Sequence, residues 1–410
     1  MKPNGQERGP VRIVAFGAGN RMNKYLRYIL AHPEEARLVA VVEPNPLRRQ
    51  AMADKAGLPE RQTFGSEREF FDSTVEADAA FICTPENVHF AQAMGSIGRG
   101  LHVLLEKPIA QSFDQCRELA EAARHRDVRV GVCHVLRLHP YFAELHRLVN
   151  SGRLGRIVSM SHRVAVGIDR ATHSFVRGNL SRSAEANPIL LSKSCHDIDL
   201  ISWIVGSRCR RVASFGSLGW FRPENAAAGS AARCIDCAVE RECPYSAVNL
   251  YRERREWIAN FDVREGESSE QAIERELAEG PHGRCVFRCN NDVADRQTVA
   301  MEFENGSVAT LSVDLFTAED GRETRITMTN GEIEADGSTI IVKQLRPRSE
   351  QRLDFSSLAD APLHGGADLQ LVADFIRAVN DPTFELTTDI DHALESHRIG
   401  FMAEASRRNG

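Results

Sequence analysis

Short apolar runs alternate with helical patterns along the first third of the chain. Five runs have the length and β-branched content of buried strands: VRIVAF, RLVAVV, ADAAFI, GLHVLL and VRVGV. After the first run, Met22, Leu26, Ile29 and Leu30 recur at the 3.6-residue spacing of an amphipathic helix. Because alternation of strands and helices is typical of a parallel sheet, we predict an α/β domain over residues 1–133.

The pattern changes in the second part of the chain. A helix is predicted from residue 140 to Gly152, and strand-like alternation begins at RIVSMSHRV. Later alternating runs are joined by Asn-Gly and Asp-Gly pairs, which indicate hairpins, and two amphipathic helices end the chain. For residues 134–410 we therefore predict an α/β domain with a mainly antiparallel open sheet and a cysteine-rich insert at 223–290.

The first apolar run breaks into a glycine turn, FGAGN, before the first predicted helix. Strand, glycine turn and helix together are typical of dinucleotide-binding domains. Gly17 permits the tight turn, and Gly19 lets the backbone approach a pyrophosphate at the helix N-terminus. Met22 occupies the place of a third glycine, so we expect the helix to lie slightly further from its strand.

Polar residues follow the ends of the other predicted strands. Glu43 ends the second strand, where a carboxylate would bind the adenosine ribose and repel a 2′-phosphate, which favours NAD. Arg48 lies close enough in sequence to leave NADP open. Thr84 and Lys107 end the next two strands, and ligands bind beyond the carboxyl ends of parallel strands. The sequence therefore predicts one binding edge.

Composition and charge exclude several classes of protein. The net charge of -6 and the lack of a basic stripe argue against nucleic-acid binding. No apolar run approaches membrane-spanning length, and the N-terminus MKPNGQERGP lacks the apolar core of a signal peptide. We therefore predict a cytoplasmic protein whose 10 cysteines are reduced.

Five cysteines lie within the predicted insert. Cys234, Cys237 and Cys243 form a C-x2-C-x5-C pattern, and Cys285 and Cys289 follow. Three of these with one of the last two meet the four-ligand requirement of tetrahedral zinc, so a structural zinc is predicted. Iron–sulfur ligation uses the same residues, and the spacing does not exclude it.

Six short motifs occur in a fixed order: GAGN, CTPENVH, EKPIA, SGRLGRI, CHDIDLISW and HGGADLQL. In this order they make the chain resemble the glucose–fructose oxidoreductase / inositol dehydrogenase (Gfo/Idh/MocA) family, from about residue 11 to the last helix. The resemblance implies a Rossmann domain followed by an α/β domain whose open sheet faces the nicotinamide. It also implies chemistry at a hydroxyl-bearing carbon of a sugar, polyol or sugar derivative, and the insert resembles that of a family subset. A second copy often covers such a sheet, so a homo-oligomer is expected.

The resemblance also implies roles for individual residues. Lys107 of EKP would hydrogen-bond the reacting hydroxyl, with its pKa lowered beside the nicotinamide charge. His196 would be a second acid/base group or orient the substrate, and we expect it to meet Lys107 over one face of the nicotinamide. Many relatives have an aspartate four residues before this histidine. Here Ser192 occupies that position, and its neighbour Lys193 is the candidate replacement.

The predicted site residues fall into three sets. The catalytic set is Lys107, His196 and Lys193. The cofactor-binding set is Gly17, Ala18, Gly19, Asn20, Arg21, Glu43, Arg48, Thr84, Pro85, Asn87, His89, Glu106 and Lys107. The substrate-binding set is Arg137, His173, Arg177, Asp197 and His364.

Three functions remain open from the sequence. The first is an NAD-dependent dehydrogenase acting on a sugar, cyclitol or sugar derivative. The second uses tightly held NAD for transient oxidation, followed by elimination of a glycosidic group. The third is a non-catalytic nucleotide-binding sensor or scaffold. Lys107 and His196 argue for catalysis, and Ser192 in place of the acid argues mildly for the third function.

Overall fold

The computed structural model describes residues 9–258, 261–264, 266–359 and 362–409, which form two compact units. The first unit comprises residues 1–151, 202–204 and 354–398. The second comprises residues 152–201, 205–353 and 399–410. The domain boundary predicted after residue 133 falls inside the first unit and stays a prediction.

Six parallel strands form the sheet of the first unit, in the order β3-β2-β1-β4-β5-β6. They are β1 Val11–Phe16, β2 Ala36–Val42, β3 Thr63–Phe64, β4 Ala79–Ile82, β5 His102–Leu105 and β6 Val130–Val132. The apolar side chains of β1, β4 and β5 are almost wholly buried, as expected for a parallel sheet covered on both faces. The predicted Rossmann-type sheet is therefore confirmed, although the two-residue β3 was not anticipated.

Eight strands form the mixed sheet of the second unit, in the order β14-β13-β12-β11-β7-β10-β9-β8. They are β7 Ile157–Gly167, β8 Cys209–Ser217, β9 Arg296–Phe303, β10 Val308–Thr317, β11 Gly321–Met328, β12 Gly331–Ala335, β13 Thr339–Gln344 and β14 Ser349–Asp354. β7 and β10 pair in parallel, whereas β8–β9, β9–β10, β7–β11, β11–β12 and β12–β13 are antiparallel. The predicted fold class is confirmed, and the Asn305-Gly306, Asn330-Gly331 and Asp336-Gly337 pairs do join hairpins.

Fourteen helical segments connect or cover these strands among the described residues. They are α1 Asn20–Ala31, α2 Pro46–Ala56, α3 Glu67–Asp72, α4 His89–Gly98, α5 Phe113–Arg126, α6 Pro140–Asn150, α7 Ile168–Arg170, α8 Ile189–Ser192, α9 Cys195–Val205, α10 Ser269–Ala278, α11 Ser356–Ala359, α12 Pro362–Gly365, α13 Ala367–Asn380 and α14 Ile390–Asn409. None of them is long and apolar enough to cross a bilayer.

The C-terminal part of the chain completes the first unit. The Val132 N–H at the last strand of the parallel sheet donates to the Thr388 carbonyl over 2.8 Å. Phe375 of α13 packs edge-on against Phe81 of β4, with ring centroids 5.7 Å apart. The first unit therefore includes residues that lie more than two hundred positions beyond its strands in sequence.

The cysteine-rich insert connects β8 to β9 with little regular structure. It contains short 3₁₀ turns, a π-helical turn over Val248–Glu253 and helix α10, which begins with a capping box of Ser268 and Gln271. Tyr251 and Leu277 are fully buried in a small hydrophobic cluster that also includes Cys234. The insert thus has a core of its own within the second unit.

Candidate functional site

The glycine turn after β1 has the geometry that a dinucleotide requires. Gly17 has φ +87°, and a Cβ there would lie 2.7 Å from the Cys83 carbonyl oxygen, so only glycine fits. A Cβ at Gly19 would meet no protein atom within 4 Å. Close packing against Cys83 therefore requires a glycine at position 17. At position 19, the lack of a side chain leaves open space at the start of α1.

That space lies at the N-terminus of α1. Gly19 is the N-cap of the helix, and no side chain caps it. The unpaired N–H groups of a first helical turn favour an anion such as a pyrophosphate. The residues present therefore fit NAD, with Gly17, Gly19, Asn20 and the start of α1 as its holders. Met22 of the same turn is fully buried despite replacing the usual glycine.

We expect Gly19→Ala to weaken NAD binding about tenfold, because the new methyl group would occupy the open space. Gly98→Ala is the matched control, since a Cβ there also meets nothing within 4 Å and Gly98 lies at the exposed end of α4. Titration of intrinsic fluorescence with NAD measures both variants. Equal NAD affinity of the two variants would contradict the assignment.

Glu43, directly after β2, hydrogen-bonds to the backbone of the glycine turn. Its carboxylate accepts the Ala18 N–H over 2.9 Å and the Asn45 N–H over 2.9 Å, and only 7% of the residue is exposed. The Ala18 N–H is therefore directed at Glu43. Arg48 is exposed on α2. The roles predicted for Glu43 and Arg48 toward the cofactor ribose stay predictions.

His89 joins the loops that follow β4 and β5. Its Nδ1 lies 2.8 Å from the Pro108 carbonyl oxygen, and its Nε2 lies 3.0 Å from the Thr84 carbonyl oxygen. The ring is 1% exposed, so it positions these loops from inside. The Thr84 hydroxyl donates to Gln92 over 2.7 Å, while Asn87 is exposed in the same loop.

The residue before Lys107, Glu106, belongs to a largely buried ion-pair network. Arg21 of α1 contacts Glu106 over 2.8 Å and Asp368 of α13 over 2.9 Å, and Tyr25 donates to Glu106 over 2.6 Å. Burial alone would raise the pKa of Glu106, but the charge of Arg21 and these hydrogen bonds hold it below its usual value. Arg21 and Glu106 therefore support the loop from within the first unit.

Lys107 itself follows the end of β5 and is partly exposed. The Lys107–Pro108 peptide bond is cis. Like Gly19 and Thr84, it comes at the carboxyl end of a strand of the parallel sheet, where such sheets bind ligands. The predicted meeting of Lys107 with His196 joins two different units and stays a prediction.

Two predicted substrate residues, Arg137 and His173, instead have inward-facing contacts. The Arg137 guanidinium lies over the Trp203 ring at 5.6 Å and donates to the Thr387 carbonyl. His173 stacks on His282 of the insert with ring centroids 4.5 Å apart, and burial lowers its pKa to about 3. Both residues are at least nine-tenths buried, which favours structural roles.

Arg177 and His364 also have protein partners. Arg177 is 4% exposed and donates to two carbonyl oxygens of the insert, those of Tyr245 and Arg284. The His364 ring pairs with Asp368 over 2.9 Å and so extends the Arg21 network of the first unit. Neither observation tests a contact with substrate, and both assignments stay predictions.

The second unit holds a group of charged residues around Lys193, which we call the Lys193 cluster; Lys193 and Asp197 are buried, whereas its other members are partly or largely exposed. Its members are Lys193, Arg170, Asp197, Asp320 and Arg322. Arg170 pairs with Asp320 over 2.8 Å, and Arg322 pairs with Asp197 over 2.6 Å. Burial, with repulsion from Arg170 and Arg322, lowers the pKa of Lys193 to about 7. An amine with such a pKa is suited to proton transfer near neutral pH.

Asp197 is the anchor of this cluster. Its Oδ1 also lies 3.1 Å from His162 Nε2, and the other nitrogen of that ring lies 2.8 Å from the Thr324 hydroxyl. Burial alone would raise the pKa of Asp197, but Arg322 and His162 hold it well below its usual value. Asp197 is fully buried, which favours a role in orienting Arg322.

His196 lies in the first turn of α9 and is partly exposed. The preceding Ser192 is 2% exposed, and its hydroxyl donates to the Asn187 carbonyl over 3.2 Å. Ser192 therefore cannot replace the usual carboxylate, whereas Lys193 is the neighbouring group with a perturbed pKa.

Sequence reasoning missed Arg170, Asp320, Arg322 and His162. His162 and Arg322 lie in phase with the buried residues of β7 and β11, but a single polar residue in a strand does not reveal its partner. Arg170 and Asp320 lie outside the strands, where no periodicity applies. The signal that the sequence offered here was the Asp320-Gly321 pair, which indicates a hairpin between β10 and β11. It precedes β11, yet β10 and β11 flank β7 rather than forming a hairpin.

The sulfur atoms of the insert do not form a zinc tetrahedron. All five cysteines lie in the described part of the chain, and no three of their sulfurs lie within 4.8 Å of one another. Zinc–thiolate bonds of about 2.3 Å would hold four sulfurs about 3.8 Å apart. The predicted structural zinc is therefore not supported.

Two family models together match most of the chain. The oxidoreductase family with NAD-binding Rossmann fold matches residues 11–134. The C-terminal alpha/beta domain of the same family matches residues 146–410. The chain belongs to the Gfo/Idh/MocA family. Its members are NAD-dependent oxidoreductases, so the predicted family and enzyme class are confirmed.

Curated relatives in the Gfo/Idh/MocA family include sugar and cyclitol dehydrogenases. Inositol 2-dehydrogenase 1 of Saccharopolyspora erythraea is 27% identical over 49% of this chain and 56% of its own length. D-glucoside 3-dehydrogenase of Escherichia coli is 28% identical over 36% of this chain and 41% of its own. The chain thus spans less than two thirds of the curated relatives it matches.

Solved structures of several oxidoreductases share the fold along nearly the whole chain. An oxidoreductase from Agrobacterium radiobacter in complex with NAD+, L-tartaric acid and magnesium has a TM-score of 0.70, with 14% identity over 98% of this chain and 97% of that one. An inositol dehydrogenase homolog from Azotobacter vinelandii, complexed with NADH and myo-inositol, has a TM-score of 0.68, with 16% identity over 98% and 96% of the two chains.

Proposed function

We propose that this chain is an NAD-dependent dehydrogenase that acts on a hydroxyl-bearing carbon of a sugar, cyclitol or sugar derivative. The observation that carries the proposal is the Gly17–Gly19 turn, where a required glycine is followed by open space at an uncapped helix N-terminus. Lys107 follows a strand end of the same sheet. The sugar and cyclitol dehydrogenases among the relatives support the substrate class.

The residues of the first unit would divide the work as follows. The glycine turn and the start of α1 hold the pyrophosphate, and Glu43 accepts hydrogen bonds from the ribose. Bound NAD supplies the hydride chemistry. As the substrate carbon loses a hydride and becomes a carbonyl, Lys107 takes the hydroxyl proton. The ion pair between Arg21 and Glu106 fixes the position of the residue that precedes this lysine.

The residues of the second unit would bind and orient the substrate. His196 and Lys193 offer an imidazole and an amine for hydrogen bonds to hydroxyl groups. Burial, together with the charges of Arg170 and Arg322, lowers the pKa of Lys193 to about 7, so that a substantial fraction of the amine is neutral near pH 7. A neutral amine can accept a proton, which a fully charged lysine cannot do.

Two measurements on the purified protein test the proposal. Mass analysis of the small molecules released by denaturation should identify NAD rather than NADP, because the carboxylate of Glu43, directly after β2, would repel a 2′-phosphate. Assay with a panel of sugars and cyclitols should then show net NADH formation with at least one of them. Recovery of neither nucleotide, together with no NAD binding, would refute the proposal.

One observation favours a second function. Elimination after transient oxidation needs a base for a carbon-bound proton in addition to the base for the hydroxyl proton. Lys193, with its pKa of about 7, offers a second amine in addition to that of Lys107. Cleavage of a glycoside without accumulation of NADH would identify this function, and net NADH formation would exclude it.

A further inference from the structure

Four cysteines of the insert line one pocket in the second unit. The pocket has a volume of about 410 Å³, and Cys234, Cys237, Cys243 and Cys285 are among its lining residues. Cys289 is not among them, and its thiol donates to the Cys285 carbonyl over 3.3 Å. The structure thus separates the fifth cysteine from the other four.

The cysteine-bearing segments are held together independently of any metal. The Cys285 N–H donates to the Ala232 carbonyl over 2.9 Å, and Arg233 and Arg284 form an antiparallel bridge. Cys234 and Cys237 lie on either side of a tight turn, closed by the Cys237 N–H and the Cys234 carbonyl over 3.3 Å. The four thiols are therefore brought to the pocket by the backbone.

A buried cation, Arg177, connects these segments. Its guanidinium donates to the Arg284 carbonyl over 2.7 Å and to the Tyr245 carbonyl over 2.6 Å, and it lies 3.7 Å from the Cys234 sulfur. The residue is 4% exposed, and its hydrogen-bond partners among the described residues include no carboxylate. A buried charge without a counter-charge is costly, so an anionic partner is expected at this position.

The same guanidinium carries a donor that faces no acceptor. Nη1 of Arg177 is buried and has no hydrogen-bond partner among the described residues. Arg177 also lines the pocket. Hydrogen bonds to cluster and cysteine sulfurs are a usual feature of iron–sulfur sites. The unused N–H and the missing counter-charge therefore point to the same kind of ligand.

The spacing of the sulfurs decides between the metal sites that such a pocket could hold. The sulfurs are too widely spaced for one zinc ion, whereas the cysteines of an iron–sulfur cluster bind different iron atoms and stand farther apart. A cluster with four thiolate ligands also has a net negative charge, which Arg177 would face.

We propose that Cys234, Cys237, Cys243 and Cys285 ligate an iron–sulfur cluster, with Arg177 as the buried cation beside it. The iron–sulfur cluster connects two groups of buried apolar residues, one that contains Cys234 and one that contains Cys285. Since the insert has few backbone ladders, the cluster stabilises its fold.

The test is metal and sulfide analysis of the whole protein purified without oxygen. We expect about two or four iron atoms per chain with an equal amount of acid-labile sulfide, and a broad visible absorption from thiolate-to-iron charge transfer. Stoichiometric zinc without iron would overturn the proposal. Absence of both metals after anaerobic reconstitution with iron and sulfide would overturn it as well.

Matched variants locate the ligands. Cys243→Ser should lose most of the iron and sulfide, whereas Cys289→Ser, the same change in the same insert, should retain both. NAD affinity shows that the first unit of each variant is folded, and circular dichroism compared with the wild type reports on the rest of the chain. Equal loss of iron in the two variants, or full retention in both, would refute the ligand set.

Discussion

Lys107→Met should lower kcat/KM about a thousandfold while leaving NAD affinity unchanged. The variant keeps a side chain of similar length at the end of β5 but removes the amine that would take the hydroxyl proton. Loss of one positioned acid/base group typically costs about a hundredfold to ten-thousandfold in rate. Steady-state kinetics with the substrate found in the panel assay, together with NAD titration, measure the two effects separately.

The control for this prediction is Lys343→Met. Lys343 lies on β13 and pairs with Glu334 and Glu332 at the surface, so the same substitution should leave kcat/KM unchanged. Retained turnover in Lys107→Met would remove this lysine from the mechanism. A parallel loss of NAD affinity would instead assign it to cofactor binding.

Lys193→Met should abolish most activity and at the same time stabilise the protein near neutral pH. Lys193 is 8% exposed and lies among charges that include Arg170 and Arg322. Its folded pKa of about 7 is below its ordinary value of 10.5. Protonation in the folded state therefore carries a free-energy penalty that methionine lacks. We expect the free energy of unfolding to rise by about 3 kcal/mol at neutral pH.

The pH dependence of the free energy of unfolding follows from the lowered pKa of Lys193. Between about pH 7 and pH 10.5 the unfolded chain binds more protons at Lys193 than the folded chain, so stability of the wild type rises with pH in this window. Below pH 7 both states are protonated and the full penalty remains. The gain of the methionine variant should therefore be largest at and below pH 7 and disappear toward pH 10.5.

Guanidinium unfolding followed by circular dichroism, at about pH 6.5 and about pH 9.5, measures this difference. Lys343→Met again serves as control, because an exposed ion pair contributes little and its loss should give no comparable gain. A Lys193→Met protein that is destabilised at both pH values and fully active would contradict the assignment. A stable, inactive variant would show that the residue is kept for function.

Local signals in the sequence were sufficient for most of the fold. The glycine turn, the apolar runs and the Asn-Gly and Asp-Gly pairs predicted both sheets because each signal acts over a few residues. The parallel pairing of β7 with β10 was not predictable in this way. It joins Ser159 to Val308, and no local pattern records a partner so distant in the chain.

The site was predictable only where backbone geometry determines it. Gly17 has a conformational reason that the sequence reveals, whereas Arg322 gains its importance from Asp197, a residue of another element. His173 and Arg177 were chosen for their hydrogen-bonding groups. The structure directs these groups into the insert, because stacking on His282 and carbonyl acceptors are available there.

The return of residues 354–398 to the first unit determines when that unit can finish folding during synthesis. The Ile109 N–H beside the Lys107 loop donates to His397 Nε2 over 3.0 Å, and Asp368 pairs with Arg21 of α1. Until the ribosome has released nearly the whole polypeptide, the Ile109 N–H lacks His397 and Arg21 lacks Asp368. A premature stop anywhere upstream of α13 would therefore impair the nucleotide-binding half as well as the truncated end.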